Sequence, residues 1–260
     1  MDRGNATVAV NADPHVLVVA GSDSSGGAGI ARDVETLAAF GVRACLAVTA
    51  VTVQTHVAVD HVEMMPPRLI AEQMLAALTA NHISAVKIGM LGSEDAIGAV
   101  AAVLKQYPNV PTVFDPVMAA SSGRALLPDG AIGVMRNDLI PLCTLVTPNL
   151  IELAILTGDE QAQGELTARR QGTVLLDDAC DAVLVKGGHG SNSRSVDILL
   201  RRGQVPIRFD APRLLGTMRG TGCMLASAAA AWLALGAPIE ESVRKAKQLV
   251  HRRLRDGHAP

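Results

Sequence analysis

Aromatic side chains are almost missing from this chain. They make up 2% of its 260 residues, although hydrophobic residues as a whole make up 49%. A core of that composition has to be built from alanine, valine, leucine and isoleucine. Such small side chains suit closely packed layers of sheet and helix. The composition therefore allows a large buried core and favours a layered architecture.

The sequence also has no surplus of basic charge. Its 23 lysines and arginines face 25 aspartates and glutamates, which gives a net charge of −2. Domains that bind nucleic acid carry a clustered basic surplus, so we expect no nucleic-acid partner. The longest apolar run covers residues 223–235, and a membrane-spanning helix needs about 20 residues. We therefore expect no membrane partner either.

Paired cysteines are missing as well. The chain has four cysteines, at Cys45, Cys143, Cys180 and Cys223. Their scattered positions argue against a zinc site or a disulfide framework and fit a reducing cytoplasm. No signal peptide is visible. We interpret the polar residues 1–15 as a loose leader and expect residues 16–260 to form a single domain.

Short apolar runs alternate with helical patterns along the chain. The predicted strands cover 16–20, 44–51, 85–88, 111–114, 145–146 and 182–185, with a hairpin from 196–201 and 205–209. The predicted helices cover 30–38, a segment from Pro67, 96–104, 150–156, 223–235 and 239–254. This alternation predicts an α/β fold in which helices cover both faces of a mainly parallel sheet.

Five candidate side chains, most of them polar, stand where these predicted strands end. They are Asp23, Met90, Asp115, Asn149 and Lys186. In open parallel sheets, ligands bind beyond the carboxyl ends of the strands. The sequence therefore predicts a binding site at that edge of the sheet.

The segment Arg219-Gly220-Thr221-Gly222-Cys223 precedes a long alanine-rich run. Glycine lets a ligand approach the backbone closely, and the first N–H groups of a helix lack internal partners and carry partial positive charge. The pattern indicates an anion site, most often for phosphate. We expect the same field to lower the pKa of the Cys223 thiol toward neutrality. A glycine-rich turn with a buried cysteine is the alternative.

Three side chains at the strand ends each have two interpretations. Asp115 could hold Mg²⁺, directly or through water, or it could be a turn residue before Pro116. Glu152 completes a capping pattern with Asn149 and could also lie near metal-bound water and nucleotide phosphates. Lys186 could neutralise a nucleotide phosphate or could be a solvated lysine at the end of a strand.

Two polar residues could recognise a heteroaromatic substrate. Asp33 could accept hydrogen bonds from it or be a solvated helix carboxylate, and Gln54 could do similar work or be an ordinary loop amide. The sequence has no G-x-x-x-x-G-K-[ST] motif, which excludes a P-loop kinase. Residues 26–29 lack the G-x-G-x-x-G spacing, which argues against NAD binding.

Six segments, in order along the chain, resemble those of bacterial hydroxymethylpyrimidine/phosphomethylpyrimidine kinases. They are Ala20-Gly21-Ser22-Asp23-Ser24-Ser25-Gly26-Gly27-Ala28-Gly29-Ile30 with Asp33, Lys87-Ile88-Gly89-Met90-Leu91, Asp115-Pro116-Val117-Met118, Thr147-Pro148-Asn149 with Glu152, Val185-Lys186-Gly187-Gly188-His189, and Gly220-Thr221-Gly222-Cys223. The resemblance extends from about residue 16 to residue 250.

The resemblance implies a ribokinase-like fold, a three-layer sandwich in which helices flank a central, mostly parallel sheet. It implies ATP- and Mg²⁺-dependent phosphorylation of 4-amino-5-hydroxymethyl-2-methylpyrimidine. It also implies a second phosphorylation, of the monophosphate to the diphosphate, in thiamine biosynthesis. A homodimer is the usual assembly in this branch.

The resemblance further implies roles for individual residues. The implied pyrimidine pocket consists of Gly21, Asp33, Gln54, Met90, Val117 and Cys223. The implied metal and nucleotide residues are Asp115 and Glu152 for the metal, with Lys186, Asn149 and Glu152 for the nucleotide. The implied catalytic residues are Gly220, Thr221 and Gly222, which form the anion hole, and Cys223, which is the general base toward the hydroxymethyl group.

The chain departs from the family pattern at three positions. Arg219 stands where histidine is common and adds a cation beside the phosphates. Met224 replaces a usual threonine at the start of a helix, and Ser24 replaces a usual proline, which predicts a looser turn. The chain also stops soon after its last predicted helix, so we expect no fused thiamine-synthesis domain.

Two alternatives stay open. A pyridoxal kinase of the same superfamily would also phosphorylate a small heteroaromatic alcohol, although Gln54 and Met90 favour the pyrimidine. A non-catalytic ligand-binding protein on this scaffold would be favoured by loss of Asp115, Glu152 or Lys186, and all three are present.

Overall fold

The computed structural model describes residues 13–120, 122–177, 180–187, 193–214 and 218–257. Most of the expected leader, residues 1–12, lies outside the described residues. Gly188 and His189 of the fifth motif lie outside them too. The first strand begins at His15, one residue before the expected start of the domain.

Nine strands form one sheet in the described part of the chain. They are β1 (His15–Asp23), β2 (Arg43–Gln54), β3 (Val59–Met64), β4 (Ile83–Ile88), β5 (Thr112–Phe114), β6 (Leu145–Val146), β7 (Ala182–Val185), β8 (Arg194–Arg201) and β9 (Ile207–Pro212). Their spatial order is β3-β2-β1-β4-β5-β6-β7-β8-β9.

Eight α-helices lie within the described ranges. They are α1 (Gly29–Ala38), α2 (Pro67–Ala80), α3 (Glu94–Leu104), α4 (Ala131–Val134), α5 (Leu150–Thr157), α6 (Glu165–Asp177), α7 (Thr221–Ala234) and α8 (Ile239–Asp256). A π-helical turn (Met135–Leu139) and a 3-10 turn (Ile140–Leu142) continue α4. None of the described helices has the length and apolarity that crossing a membrane requires.

The centre of the sheet is parallel and its edges are antiparallel. Six neighbouring strands, from β2 through β1, β4, β5 and β6 to β7, run in the same direction. The pairings of β2 with β3, β7 with β8 and β8 with β9 are antiparallel. The expected mostly parallel sheet is confirmed. Because parallel strands end at the same edge, their carboxyl ends form one rim on which functional groups can meet.

Strand β1 shows why helices cover both faces of the sheet. Val16, Val18 and Ala20 pack into a hydrophobic cluster with α1, α7 and α8. Leu17 and Val19 pack into a second cluster with α2, α3, α5 and α6. Successive strand residues point to opposite faces, so a continuous apolar run requires an apolar layer on each side. The result is a three-layer arrangement with the sheet in the middle.

Helix α7 packs against the sheet mainly through alanines. Residues 228–231 are all alanine and all wholly buried. Short side chains allow the helix backbone to come close to the strands, which compensates in packing for the missing aromatic residues. This close packing brings the first turn of α7 to the rim where the parallel strands end.

The sequence patterns did not predict every element of the structure. Strand β3 was missed because its exposed edge carries charged residues and no continuous apolar run. Helices α4 and α6 were also missed, because no repeat of apolar residues at helical spacing was recognised in either segment. Strand β9 begins at Ile207 and not at Val205, because Pro206 has no N–H to donate to β8.

A buried ion pair joins three elements beneath the rim. Lys87 of β4 and Asp33 of α1 are both completely buried, with Nζ 2.8 Å from Oδ2. Ser227 of α7 donates to the other carboxylate oxygen at 2.7 Å. Burial raises the pKa of Asp33, with Lys87 acting in the opposite direction. Burial also opposes the charge on Lys87, but acidic neighbours, Asp33 first, outweigh it and raise the pKa of the ammonium.

Replacing Lys87 with methionine would leave the Asp33 carboxylate buried without its cation. We expect Lys87→Met to lower the free energy of unfolding by about 3–5 kcal/mol, because an uncompensated buried charge is costly. The double variant Lys87→Met/Asp33→Asn buries no charge and should be more stable than Lys87→Met alone. Urea unfolding of the variants measures this difference. A double variant that is less stable than Lys87→Met would contradict the ion pair as the source of the loss.

Candidate active site

The start of α7 lies directly against the loop between β1 and α1. Gly220, the residue before α7, has a φ of +72°, a left-handed conformation that favours glycine. A Cβ at this position would lie 2.5 Å from the carbonyl oxygen of Gly27. Gly29, at the start of α1, also has a positive φ, and a Cβ there would collide with the carbonyl oxygen of Gly21. These glycines are therefore required for the close approach of the two segments.

The first turn of α7 also lies against a pair of opposite charges. The N–H groups of residues 221–223 lack partners within the helix, whose first hydrogen bond is donated by Met224 at 2.8 Å. A Cβ on Gly222 would lie 3.3 Å from both Asp115 Oδ2 and Lys186 Nζ. The structure thus brings the implied anion hole and the charges at the strand ends into contact.

Three ionisable side chains meet at this rim. Lys186 Nζ lies 2.6 Å from Asp115 Oδ1 and 3.8 Å from Glu152 Oε2. Thr147 donates to the same oxygen of Asp115 at 3.3 Å. Lys186 is only 9% exposed, so its interpretation as a solvated lysine is wrong. Burial opposes its charge, but Asp115 and Glu152 outweigh burial and raise its pKa, which keeps the ammonium charged.

Asn149 and Glu152 form a complete capping box at the start of α5. Asn149 Oδ1 accepts from the N–H groups of Ile151 and Glu152 at 2.9 Å each, and Glu152 Oε2 accepts from the N–H of Asn149 at 2.7 Å. Both interpretations of Glu152 are compatible, because its capping carboxylate also faces Lys186. Burial raises the pKa of Glu152 to about 7, with Lys186 acting in the opposite direction.

Asp115 and Glu152 fit a hydrated magnesium ion. Their described hydrogen bonds use Asp115 Oδ1 and Glu152 Oε2, so Oδ2 and Oε1 are the oxygens available to a cation. Mg²⁺ takes one or two carboxylates and keeps several waters. No group of three or more His, Cys, Asp or Glu residues in the described ranges could hold a metal by itself. The metal role of both residues stays a prediction.

Cys223 lies within the influence of the buried ion pair beneath the rim. Burial raises the pKa of its thiol to about 11, with smaller raising effects from Asp33 and Asp115. The Lys87 ammonium and the N–H of Gly29 act in the opposite direction. The expected lowering of this pKa toward neutrality is therefore wrong, because desolvation outweighs the positive field. In the free protein the thiol is protonated at neutral pH.

Three residues of the implied pyrimidine pocket come together at the ends of β1 and β4. A Cβ on Gly21 would lie 3.2 Å from the sulfur of Met90. Gly29 lies beside both, because a Cβ on Gly29 would lie against the carbonyl oxygen of Gly21, and its N–H lowers the pKa of the Cys223 thiol. The residues implied for the pyrimidine pocket and those implied for the anion hole are therefore neighbours.

Gln54 and Val117 lie at the margins of this arrangement. Gln54 ends β2, where its backbone is hydrogen-bonded to the loop after β1. Val117 is half-buried, and its N–H donates to the carbonyl oxygen of Asp115 at 2.8 Å. None of the described hydrogen bonds joins either residue to Met90, and their part in the pocket stays a prediction.

Asp33 has a different environment from the one expected. Its interpretation as a solvated carboxylate is wrong, because it is completely buried and bonded to Lys87 and Ser227. Direct contact with a substrate stays a prediction and would require one of these bonds to be exchanged. Sequence reasoning missed Lys87. The available signal was a charged residue inside the apolar run 85–88, since a buried charge requires a partner.

Two of the positions that depart from the family pattern make specific side-chain contacts. The Ser24 hydroxyl donates to the carbonyl oxygen of Gln54 and accepts from its N–H, both at 2.8 Å. The expected looser turn at Ser24 stays a prediction. Arg219, expected beside the phosphates, pairs with Asp23 at 3.2 Å. Met224 is buried in the cluster between α7 and the sheet.

Fold and site together define a class of protein. A mostly parallel sheet between helical layers, with a glycine-bracketed helix start above charges at the strand ends, is the arrangement of small-molecule kinases with the ribokinase-like fold. The family model for phosphomethylpyrimidine kinase matches residues 23–260. The chain belongs to this family.

Individual relatives agree with this assignment. The hydroxymethylpyrimidine/phosphomethylpyrimidine kinase of Rhizobium meliloti is 40% identical, over 90% of this chain and 88% of its own. The structure of phosphomethylpyrimidine kinase from Clostridium difficile is 35% identical with a TM-score of 0.81, over 93% of this chain and 100% of its own. Pyridoxal kinase from Staphylococcus aureus, in complex with AMP-PCP and pyridoxal, is 29% identical with a TM-score of 0.84, over 94% and 88%. The ribokinase-like fold implied by the resemblance is confirmed.

Gly222→Ala tests the contact between α7 and the charge pair. Alanine favours helix over glycine by about 1 kcal/mol, so the variant should fold with unchanged or higher stability. Its methyl group would press on Asp115 and Lys186, and we expect kcat to fall by about 100-fold, because a displacement of about 1 Å in a positioned group can cost that much. Thermal unfolding and steady-state kinetics measure the two effects.

Gly98→Ala is the matched control for this variant. Gly98 lies inside α3, and a Cβ there meets nothing within 4 Å. Its kinetics should equal those of the unchanged protein. Full activity in Gly222→Ala would show that the contact has no role in turnover.

Proposed function

We propose that this chain phosphorylates 4-amino-5-hydroxymethyl-2-methylpyrimidine with ATP, and then phosphorylates the monophosphate to the diphosphate, in thiamine biosynthesis. Family membership and 40% identity with the Rhizobium meliloti kinase support this reaction. One observation carries the proposal. Gly222, in the first turn of α7, lies directly against the Asp115–Lys186 pair, so the implied anion hole and the charged side chains at the strand ends meet at one place.

The chain would promote the reaction by positioning and charge stabilisation. Phosphoryl transfer passes through a loose transition state with charge on the transferred group, so little covalent help is needed. The N–H groups of residues 221–223 and the Lys186 ammonium would bind that charge. These donors are fixed before the reaction, which lowers the cost of reorganisation. The AMP-PCP complex of the Staphylococcus aureus enzyme supports ATP as the phosphate donor.

Asp115 and Glu152 would hold magnesium. When bound, this ion neutralises charge on the nucleotide phosphates. Asn149 fixes the Glu152 carboxylate through the capping box, and Lys186 keeps Asp115 in place. These contacts hold both carboxylates at the rim before any ligand arrives.

Cys223 would take the proton of the substrate hydroxymethyl group. With a pKa of about 11, the thiolate is a strong base, but at pH 7 it is only about one part in 10⁴ of the population. Lys87 is the cation that favours it. A loose transition state leaves removal of the proton until late in the transfer, so the demand on the base is modest. In the second step the acceptor is already a phosphate, and little base catalysis is needed.

Pyridoxal phosphorylation is the second candidate function. The observation that favours it is the TM-score of 0.84 with the Staphylococcus aureus pyridoxal kinase, against 0.81 with the Clostridium difficile phosphomethylpyrimidine kinase. Sequence identity favours the pyrimidine, because this chain is 35% identical to the Clostridium difficile kinase and 29% identical to the Staphylococcus aureus kinase. Pyridoxal and the hydroxymethylpyrimidine both carry a hydroxymethyl group on a heteroaromatic ring, so a comparison of acceptors is required.

We also infer a homodimer in the cytoplasm. Val51 and Val53, two positions apart on β2, are 46% and 54% exposed, and an exposed apolar patch supports an interaction site. All four cysteines are free thiols, which supports a reducing compartment.

A coupled assay of ADP release with Mg²⁺-ATP tests the proposed function. The acceptors are the hydroxymethylpyrimidine, its monophosphate and pyridoxal, and we expect kcat/KM to be highest for the two pyrimidines. Asp115→Asn should be nearly inactive with all three, which excludes a contaminating kinase. Turnover of pyridoxal alone would overturn the proposal. Absence of turnover with every acceptor would favour a non-catalytic ligand-binding protein.

Cys223→Ala should impair the first phosphorylation more than the second. We expect kcat/KM to fall by about 100-fold for the alcohol, the typical contribution of a general base, and much less for the monophosphate. The unchanged enzyme should also gain activity on the alcohol from pH 7 to pH 9.5, because the thiolate becomes more abundant as the pH approaches its pKa of about 11.

Cys45→Ala is the matched control, since Cys45 is also a half-buried free thiol. It should leave both steps unchanged. Equal losses in both steps for Cys223→Ala would argue against Cys223 as the base. So would activity of the unchanged enzyme on the alcohol that does not rise from pH 7 to pH 9.5.

A further inference from the structure

Arg219, which precedes α7, bonds to two other segments of the chain. They are the end of β1 with the loop after it, and the turn after β2. Arg219 Nη2 lies 3.2 Å from Asp23 Oδ2, and its Nη1 donates to Ser25 Oγ at 2.8 Å and to the carbonyl oxygen of Thr55 at 2.9 Å. Asp23 and Ser25 are at the end of β1 and in the loop after it, Thr55 follows β2, and Arg219 precedes α7. We call these four residues the Arg219 clasp.

The two charged side chains of the clasp are largely shielded from solvent. The side chains of Asp23 and Arg219 are 4% and 19% exposed. The N–H and the hydroxyl of Ser25 donate to Asp23 Oδ1 at 2.9 and 2.8 Å, so both carboxylate oxygens are engaged. Hydrogen bonds between ionised partners are stronger than neutral ones. The clasp is therefore a built feature and not a chance contact between surface side chains.

A second set of bonds connects the same two segments beside the clasp. Ser24 bonds to the backbone of Gln54 in both directions, and Thr52 donates to the carbonyl oxygen of Ser22 at 2.8 Å. Ser24 and Arg219 are two of the positions at which this chain departs from the family pattern. The hydrogen bonds of these two residues connect the loop after β1 to the end of β2 and the turn that follows it.

The clasp lies beside residues implied for the pyrimidine pocket. Asp23 is two residues after Gly21, and Thr55 directly follows Gln54. The described polar contacts of the Arg219 guanidinium are with Asp23, Ser25, Thr55 and His56. The phosphate-side group of Asp115, Glu152 and Lys186 has its own ion pairs.

We propose that Arg219 is a positioning residue for the acceptor substrate. It holds the loop after β1 and the turn after β2 in the arrangement that receives the ring, and it is neutralised by Asp23 and does not act on the nucleotide. This inference rests on the proposed function. Loops that are ordered before binding do not have to be ordered by the ligand, which raises affinity. Loss of the clasp should therefore weaken acceptor binding and leave the chemistry intact.

Kinetics of Arg219→Ala test this inference. We expect KM for the hydroxymethylpyrimidine to rise about 10-fold or more, the effect of losing hydrogen bonds to a charged group. KM for ATP and kcat should change by less than about 3-fold, within the ordinary scatter of an independent site. Arg219→Lys should recover only part of the loss, because an ammonium can pair with Asp23 but lacks the planar fork that reaches Ser25 and Thr55 together.

Two further variants sharpen the test. Arg219→Ala/Asp23→Asn should be no worse in acceptor KM than Arg219→Ala, because both changes break the same pair. Arg201→Ala is the matched control. Arg201 ends β8, which is far from the clasp in the sheet order, is 23% exposed and pairs with Glu240 of α8. It should leave all kinetic constants unchanged. An equal rise in KM for ATP, a loss in kcat alone or additive effects in the double variant would overturn the inference.

Hydrogen exchange separates failure of the clasp from failure of the proposed function. If the unchanged protein turns over no pyrimidine, the proposed function fails, but the amide protons of residues 52–57 can still be compared. Arg219→Ala should exchange them at least about 10-fold faster than the unchanged protein, since local opening becomes easier. Unaltered exchange in this segment would contradict the clasp whatever the substrate is.

Discussion

The whole site depends on contact between the start of α7 and the end of the parallel sheet. Gly220 adopts a conformation that favours glycine, and Gly222 leaves room for the Asp115–Lys186 pair beside the helix backbone. Buried alanines bring α7 close enough to the strands for this contact. Because the first N–H groups of a helix have no internal partners, the contact places fixed donors beside fixed charges. Phosphoryl transfer requires that combination more than it requires a reactive side chain.

Buried charges around this contact occur as ion pairs with separate tasks. They are Lys87–Asp33 beneath the rim, Lys186–Asp115 beside the first turn of α7 and Arg219–Asp23 at the loop after β1. An unpaired buried charge is costly, so each pair also fixes the elements that carry it. The same desolvation raises the pKa of Cys223, which keeps the thiol protonated at neutral pH. Positioning, and not an activated nucleophile, is the main contribution of this site.

Sequence patterns predicted the parts of the molecule that depend on local order along the chain. Most strands and helices were placed within a few residues, and the residues at strand ends met at one rim because parallel strands end together. Partners distant in sequence were not predictable. The pairs of Lys87 with Asp33 and of Arg219 with Asp23 join residues 54 and 196 positions apart. The pKa of Cys223 was predicted with the wrong sign because desolvation is a property of the packed structure.

Identification of the products by ³¹P nuclear magnetic resonance shows whether one enzyme carries out both phosphorylations. In a single reaction with Mg²⁺-ATP and the hydroxymethylpyrimidine, we expect a monophosphate signal to appear first and then to be replaced by the paired signals of a pyrimidine diphosphate. Each diphosphate formed should consume two molecules of ATP. Accumulation of the monophosphate without any diphosphate, or ADP without a phosphorylated pyrimidine, would contradict the account.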